Sequence, residues 1–102
     1  MGKFSRDKGA RFERQIVNAL NDNGIEAKRV PLSGATSFQK GDVVIDGRIV
    51  CELKHHESGF KKIYEYKEGA KLLIIKQNQY EPLIIMTFED FISMYKTSGG
   101  MI

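Results

Sequence analysis

The stretch GDVVIDGRIVCELK, residues 41–54, constrains the fold more than any other part of the chain. Two apolar runs flank Asp46-Gly47, a dipeptide that accepts positive φ, so the segment is expected to turn back on itself as an antiparallel hairpin. Asp42, Glu52 and Lys54 nevertheless stand where such a hairpin should keep its apolar face. Period-two alternation puts Glu52 and Lys54 on one face of the second strand. A two-residue loop would pair Asp42 with Cys51, whereas a three-residue loop or a bulge would set Asp42 opposite Glu52. In the second register the two carboxylates could share one cation, because opposed Cβ atoms lie roughly 4.5–5.5 Å apart. Two bare like charges about 4 Å apart repel by about 4 kcal/mol at an effective dielectric of about 20. Lys54 offsets part of that, and a hard divalent ion, Mg²⁺ or Mn²⁺, would offset the rest because it prefers oxygen ligands and also binds phosphate oxygens. An isolated Glu-x-Lys in a strand is usually a solvated ion pair. Here it keeps the company of a preceding Gly-Asp, apolar residues on both sides, a helix-borne Glu13 and a Ser33-Gly34 loop.

With 102 residues the chain is expected to form one domain around a single modest core, with residues 1–7 as a basic N-terminal arm and 97–102 as a flexible tail. Phe12, Ile16, Ala19 and Leu20 recur at helical spacing, Ser5 or Asp7 can cap them and Gly24 stops them, which predicts a helix over 8–22. Ile25 to Val30 reads as a short strand closed by Pro31, and Leu32 to Gly41 as a loop. After the hairpin, Phe60, Ile63 and Tyr64 share a helical face. The runs KLLIIK and PLIIM read as buried neighbouring strands. Thr87 with Asp90 three residues on forms a capping box for a last helix that buries Phe88, Phe91, Ile92 and Tyr95. The order α-β-β-β-α-β-β-α describes an α/β (α+β) domain with a central, mixed β-sheet flanked by helices.

The net charge is +3, and Lys3, Arg6, Lys8, Arg11 and Arg14 crowd the first turns, so a polyanion partner is expected. No apolar run approaches the roughly 20 residues that span a bilayer, which implies an intracellular, cytoplasmic protein with no membrane partner. Cys51 is single and lies in a strand pattern, so it reads as a small buried apolar residue. His55 and His56 lie past the strand without cysteine partners and read as solvated. Tyr64, Tyr66 and Tyr80 could stack on bases or serve the core.

The succession FERQIV, PLSGA, GDVVI and CELK resembles the PD-(D/E)XK nuclease superfamily, and within it the archaeal-type Holliday junction resolvases with their phage relatives. The resemblance runs from about Gly9 to Tyr95 and implies a restriction-endonuclease-like fold. It implies that Asp42 and Glu52 are the central metal ligands, Lys54 is the catalytic lysine, and Glu13 adds a further carboxylate directly or through water. Ser33 would sit beside the scissile phosphate, Arg14 would contact phosphate or brace the site, and the Leu53 carbonyl would be an extra ligand. Gly41 departs from the superfamily pattern, which expects proline there.

The expectation that follows is an Mg²⁺- or Mn²⁺-dependent endonuclease that cuts four-way or other branched DNA by paired symmetric nicks, with no small-molecule cofactor. Lys3, Arg6, Lys8 and Arg11 would grip phosphates, and Arg29 and Lys40 join the expected DNA-contacting set. A four-way junction is twofold symmetric, so a homodimer is the natural assembly, with Met94 or Tyr95 as interface candidates. The rival readings are another nuclease of the superfamily, VRR-type or acting on flaps and nicks, and a non-catalytic module that binds branched DNA.

Overall fold

The turn at Asp46-Gly47 settles the hairpin register. In the computed structural model, which describes residues 3–30 and 41–100 and side chains from residue 8 onward, Asp46 and Gly47 both take positive φ, 52° and 66°. The Arg48 N–H then donates to the Ile45 carbonyl at 3.0 Å. Ile45 consequently faces Ile49 and Val43 faces Cys51, a three-residue loop between β2 (Val43–Ile45) and β3 (Ile49–Cys51). Apolar residues thus oppose apolar residues through the whole ladder.

Unit 1, residues 1–55, builds on this hairpin. Helix α1 (Lys3–Asp22) leads into β1 (Ala27–Arg29), which pairs antiparallel with β2 through Ala27↔Ile45 and Arg29↔Val43. The helix begins at Lys3 instead of residue 8, so residues 3–7 of the expected arm are helical backbone. Apolar periodicity marks only the turns that pack, and lysine and arginine extend a helix beyond them at little cost. Gly24 ends α1 at φ 78° as its place in the sequence suggested. Asn21 then ties helix to strand with both amide atoms: its Nδ2 donates to the Ala27 carbonyl at 3.3 Å and its Oδ1 accepts from the Ala27 N–H at 3.0 Å. The core comprises Leu20, Ile25, Ala27, Val30, Val43, Val44 and Ile45. All three residues of β2 are buried, as the central strand of a three-stranded sheet requires.

Unit 2, residues 56–102, contains α2 (Lys61–Lys67), the antiparallel pair β4 (Leu73–Ile75) and β5 (Leu83–Ile85), and α3 (Phe88–Thr97). Element order and α+β class are as the sequence led us to expect, with the five strands among the described residues distributed over two antiparallel sheets. Several finer expectations need correction. Tyr64 is exposed, because Phe60 stands before the helix as its cap and the half-buried stripe runs through Ile63 and Lys67. The apolar runs pair as foreseen, but Ile74, Leu83 and Ile84 are exposed. Phe88, Phe91 and, in unit 1, Cys51 are half-buried. Tyr95 is core at 3 % exposure and therefore offers no interface, whereas Met94 is exposed. Ser98 to Gly100 bond back onto the last turn of α3, the Gly100 N–H reaching the Tyr95 carbonyl at 2.9 Å. No helix among the described residues is long and apolar enough to cross a membrane.

Candidate active site

The misfit charges lie just before β2 begins and just after β3 ends. Gly41 approaches at φ 98°, and the Asp42 N–H donates to the Cys51 carbonyl at 2.8 Å although Val43 is the residue that faces Cys51. Two consecutive residues thus address one, which bends the strand and redirects the Asp42 side chain. Its Oδ2 accepts from the Leu53 N–H at 2.8 Å. The half-buried carboxylate is thereby fixed to the backbone between Glu52 and Lys54. Its Oδ1 has no partner among the described residues. The Asp42 carbonyl in turn accepts from the Val30 N–H at 2.9 Å, so the position is held from β1 as well.

Glu52 and Lys54 form an ion pair, Oε2 to Nζ, at 3.3 Å. Both side chains are more than half exposed, at 56 % and 61 %. Such a pair contributes about 0–1 kcal/mol, so it yields readily to a stronger partner for either charge. Glu13 lies on the half-buried side of α1 and accepts from Arg29 Nε at 2.9 Å, with its side chain 19 % exposed. Arg29, expected on DNA, therefore spends at least one donor holding Glu13. Next along the chain from Lys54, His55 packs its ring against Phe12 at 5.1 Å between centroids. This contact lays the segment after β3 along the turn of α1 that carries Glu13, and His55, although exposed, is not simply solvated.

The structure therefore joins Asp42 to Leu53, Glu52 to Lys54, and Glu13 to Arg29, with no direct contact from Glu13 to the other two carboxylates. Among the described residues no three His, Cys, Asp or Glu side chains cluster closely enough to hold a metal ion by themselves. Mg²⁺ does not require three, since it is commonly bound through one or two carboxylates and keeps several waters. An all-oxygen set of Asp42 Oδ1, Glu52 and the Leu53 carbonyl suits a hard divalent ion. Cys51 does not compete: burial pushes its thiol pKa up, and its Sγ lies 3.7 Å from the Ile49 carbonyl. Arg11 and Arg14 are exposed on α1 and Lys8 is half-exposed. The side chains of Lys3 and Arg6, and all of Ser33 and Lys40, lie outside the described residues.

Sequence reasoning missed the Asp42–Leu53 bond, the Glu13–Arg29 pair and the Phe12–His55 contact. The glycine before Asp42 was the available signal for the first; the other two join residues far apart in sequence and left no local trace.

A family model described as "Phage putative PDDEXK endonuclease" matches residues 4–72. No curated protein and no solved structure matches the chain.

Proposed function

Because the chain belongs to the phage PDDEXK endonuclease family, a nuclease family, we propose that it is an Mg²⁺- or Mn²⁺-dependent endodeoxyribonuclease that resolves four-way DNA junctions by paired symmetric cleavage. The observation that best supports the catalytic assignment is the hydrogen bond from the Leu53 N–H to Asp42 Oδ2, which ties the aspartate to the Glu-Leu-Lys segment. Asp42, Glu52 and the Leu53 carbonyl would hold the cation. When bound, the cation supplies Lewis-acid chemistry at the phosphoryl oxygen and makes water more acidic.

The protein's own groups do the rest. Lys54 releases Glu52, orients the attacking water by hydrogen bonding and neutralises charge that develops on the phosphate oxygens. Arg29 holds Glu13 in place through its Nε, so that Glu13 can accept a hydrogen bond from water entering the site. Arg14 and Arg11 meet backbone phosphates from the exposed side of α1, which Lys8 extends; the family resemblance would give Ser33 a role beside the scissile phosphate, and Lys3, Arg6 and Lys40 would add phosphate contacts. Phosphate contacts of this kind position a duplex without reading its sequence. Selection by branch shape follows, and two symmetric cuts call for a homodimer acting in the cytoplasm.

A labelled four-way junction, incubated with and without Mg²⁺ beside a matched linear duplex, tests this directly. Paired symmetric nicks in the branched, Mg²⁺-containing sample alone are expected. Cutting of the linear duplex at a similar rate would leave a nuclease without junction selectivity, and cutting in chelator would remove the metal.

A further inference from the structure

Unit 2 carries a groove that phosphodiester chemistry does not use. It is an open groove of about 1030 Å³ between α2 and the β4–β5 hairpin, with Ile63 and Ile75 in its lining. Tyr66 lines it from the helix and Tyr80 from the turn, and both rings are largely exposed, at 63 % and 66 %. Aromatic rings of this size are normally buried for their apolar area. Tyr80, and the face of Tyr66 that the Lys62 ammonium does not cover, offer stacking faces.

The polar groups around them are equally specific. Gln77 and Gln79 line the same groove, and their side-chain amides make no hydrogen bond among the described residues. Gln79 holds φ at 74°, a left-handed conformation in which glycine or asparagine is the easier choice, so the turn keeps a long amide at a position that disfavours it. Lys76 lines the groove with its Nζ near only the Gln77 carbonyl, at 3.5 Å, and has no carboxylate partner among the described residues. Lys62 lies 5.9 Å from the centre of the Tyr66 ring. Glu81 is the one carboxylate in the lining.

Stacking rings, amides with both donor and acceptor, and a cation at hand are the set by which proteins take single-stranded nucleic acid. An apolar peptide would use the aliphatic lining and leave both amides and Lys76 idle. We infer that this groove is a subsite for an unpaired nucleobase of the nucleic-acid substrate, stacked on Tyr66 and Tyr80, edged by Gln77 and Gln79, with its phosphate met by Lys76. Glu81 accepts from an exocyclic amino group, as acidic side chains do from cytosine. The inference rests on the nuclease reading only for the nucleic acid being DNA. It specifies the branched substrate further, as one that presents an unpaired base.

The test uses the full chain in chelator, so that binding is read without cleavage. The probe is a single-stranded oligonucleotide carrying 2-aminopurine, whose fluorescence falls on stacking, and titration also gives its affinity. The wild type should quench the probe and bind it more tightly than a duplex of the same length. Tyr66→Ala or Tyr80→Ala should weaken binding roughly 5- to 150-fold and abolish the quenching, while Tyr66→Phe and Tyr80→Phe should retain both. Lys76→Gln should flatten the slope of log affinity against log salt by about 0.7. Unchanged affinity and quenching in the alanine variants would overturn the inference, and so would equal losses in the phenylalanine variants, which keep the ring. A protein that cuts junctions but fails this test loses the subsite alone; one that stacks the probe but cuts nothing loses the nuclease reading alone.

Discussion

Gly41 stands where the superfamily pattern expects proline, and its backbone explains the departure. At φ 98° neither proline nor any residue with a Cβ sits comfortably, and a Cβ built there would lie 2.5 Å from Val50 Cγ1 and 3.0 Å from the Cys51 carbonyl oxygen. The same backbone turn delivers the Asp42 N–H to Cys51 and its carboxylate to Leu53. Gly41→Ala should therefore cost about 1–3 kcal/mol of stability, read from urea unfolding, and should lower cleavage more than that loss alone accounts for. A stability unchanged from wild type would mean that the strand entry is softer than its geometry indicates. At this scale the sequence pointed to Asp42, which is half-buried and bonded to Leu53, whereas Glu52 and Lys54, expected where the hairpin should keep its apolar face, form an exposed ion pair. The sequence was silent where a charge had a distant partner. Arg29 read as a DNA contact because nothing local reveals that Glu13, on another element, accepts from its Nε.

Among the elements, α3 was the most legible. Thr87 accepts from the Asp90 N–H at 3.1 Å as its cap motif implies. What the motif could not disclose is that Lys71 Nζ donates to Asp90 Oδ1 at 3.0 Å. That hydrogen bond, with the Lys71 charge behind it, holds the Asp90 carboxyl below the usual carboxylate range. A depressed folded pKa stabilises above the pKa of the unfolded carboxyl, and the contribution fades as pH falls through the folded value. Asp90→Asn should thus be less stable than wild type at pH 6–7, with the difference shrinking below about pH 4 as the wild-type carboxyl gains its proton. Paired urea unfolding curves at pH 7 and pH 3 check this, and a difference of constant size would contradict it. The hairpin register was less legible. Asp46-Gly47 suits a two-residue turn as well as a longer one, and only the pairing of Ile45 with Ile49 across the strands decides for three. The start of α1 was missed for a related reason: its first turns carry no apolar stripe to report them.

At the scale of the whole molecule, alternation and punctuation predict the order of the eight elements found among the described residues. The β2–β3 and β4–β5 pairings could be foreseen from the turn and the neighbouring apolar runs, but alternation identifies faces and leaves edges unspecified, so the division of the described strands into two antiparallel sheets and the exposure of Ile74 and Ile84 could not. Net charge, by contrast, belongs to the sequence outright. At +3 overall, with Arg11 and Arg14 exposed on α1, binding to junction DNA should weaken steeply with salt. Replacing both arginines with alanine should flatten the log–log slope by about 1.8 if each meets one phosphate. An unaltered slope would place the DNA elsewhere. The assignment of a cation to the carboxylates of residues 42 and 52 meets its most direct trial in Mg²⁺-dependent cleavage and binding of one labelled four-way junction by wild type, Asp42→Asn and Glu52→Gln. Both variants should bind the junction at least as tightly as wild type and cut it at background rate, since each amide keeps the shape and removes a charge that the cation requires. Cleavage at the wild-type rate by either variant would contradict the assignment.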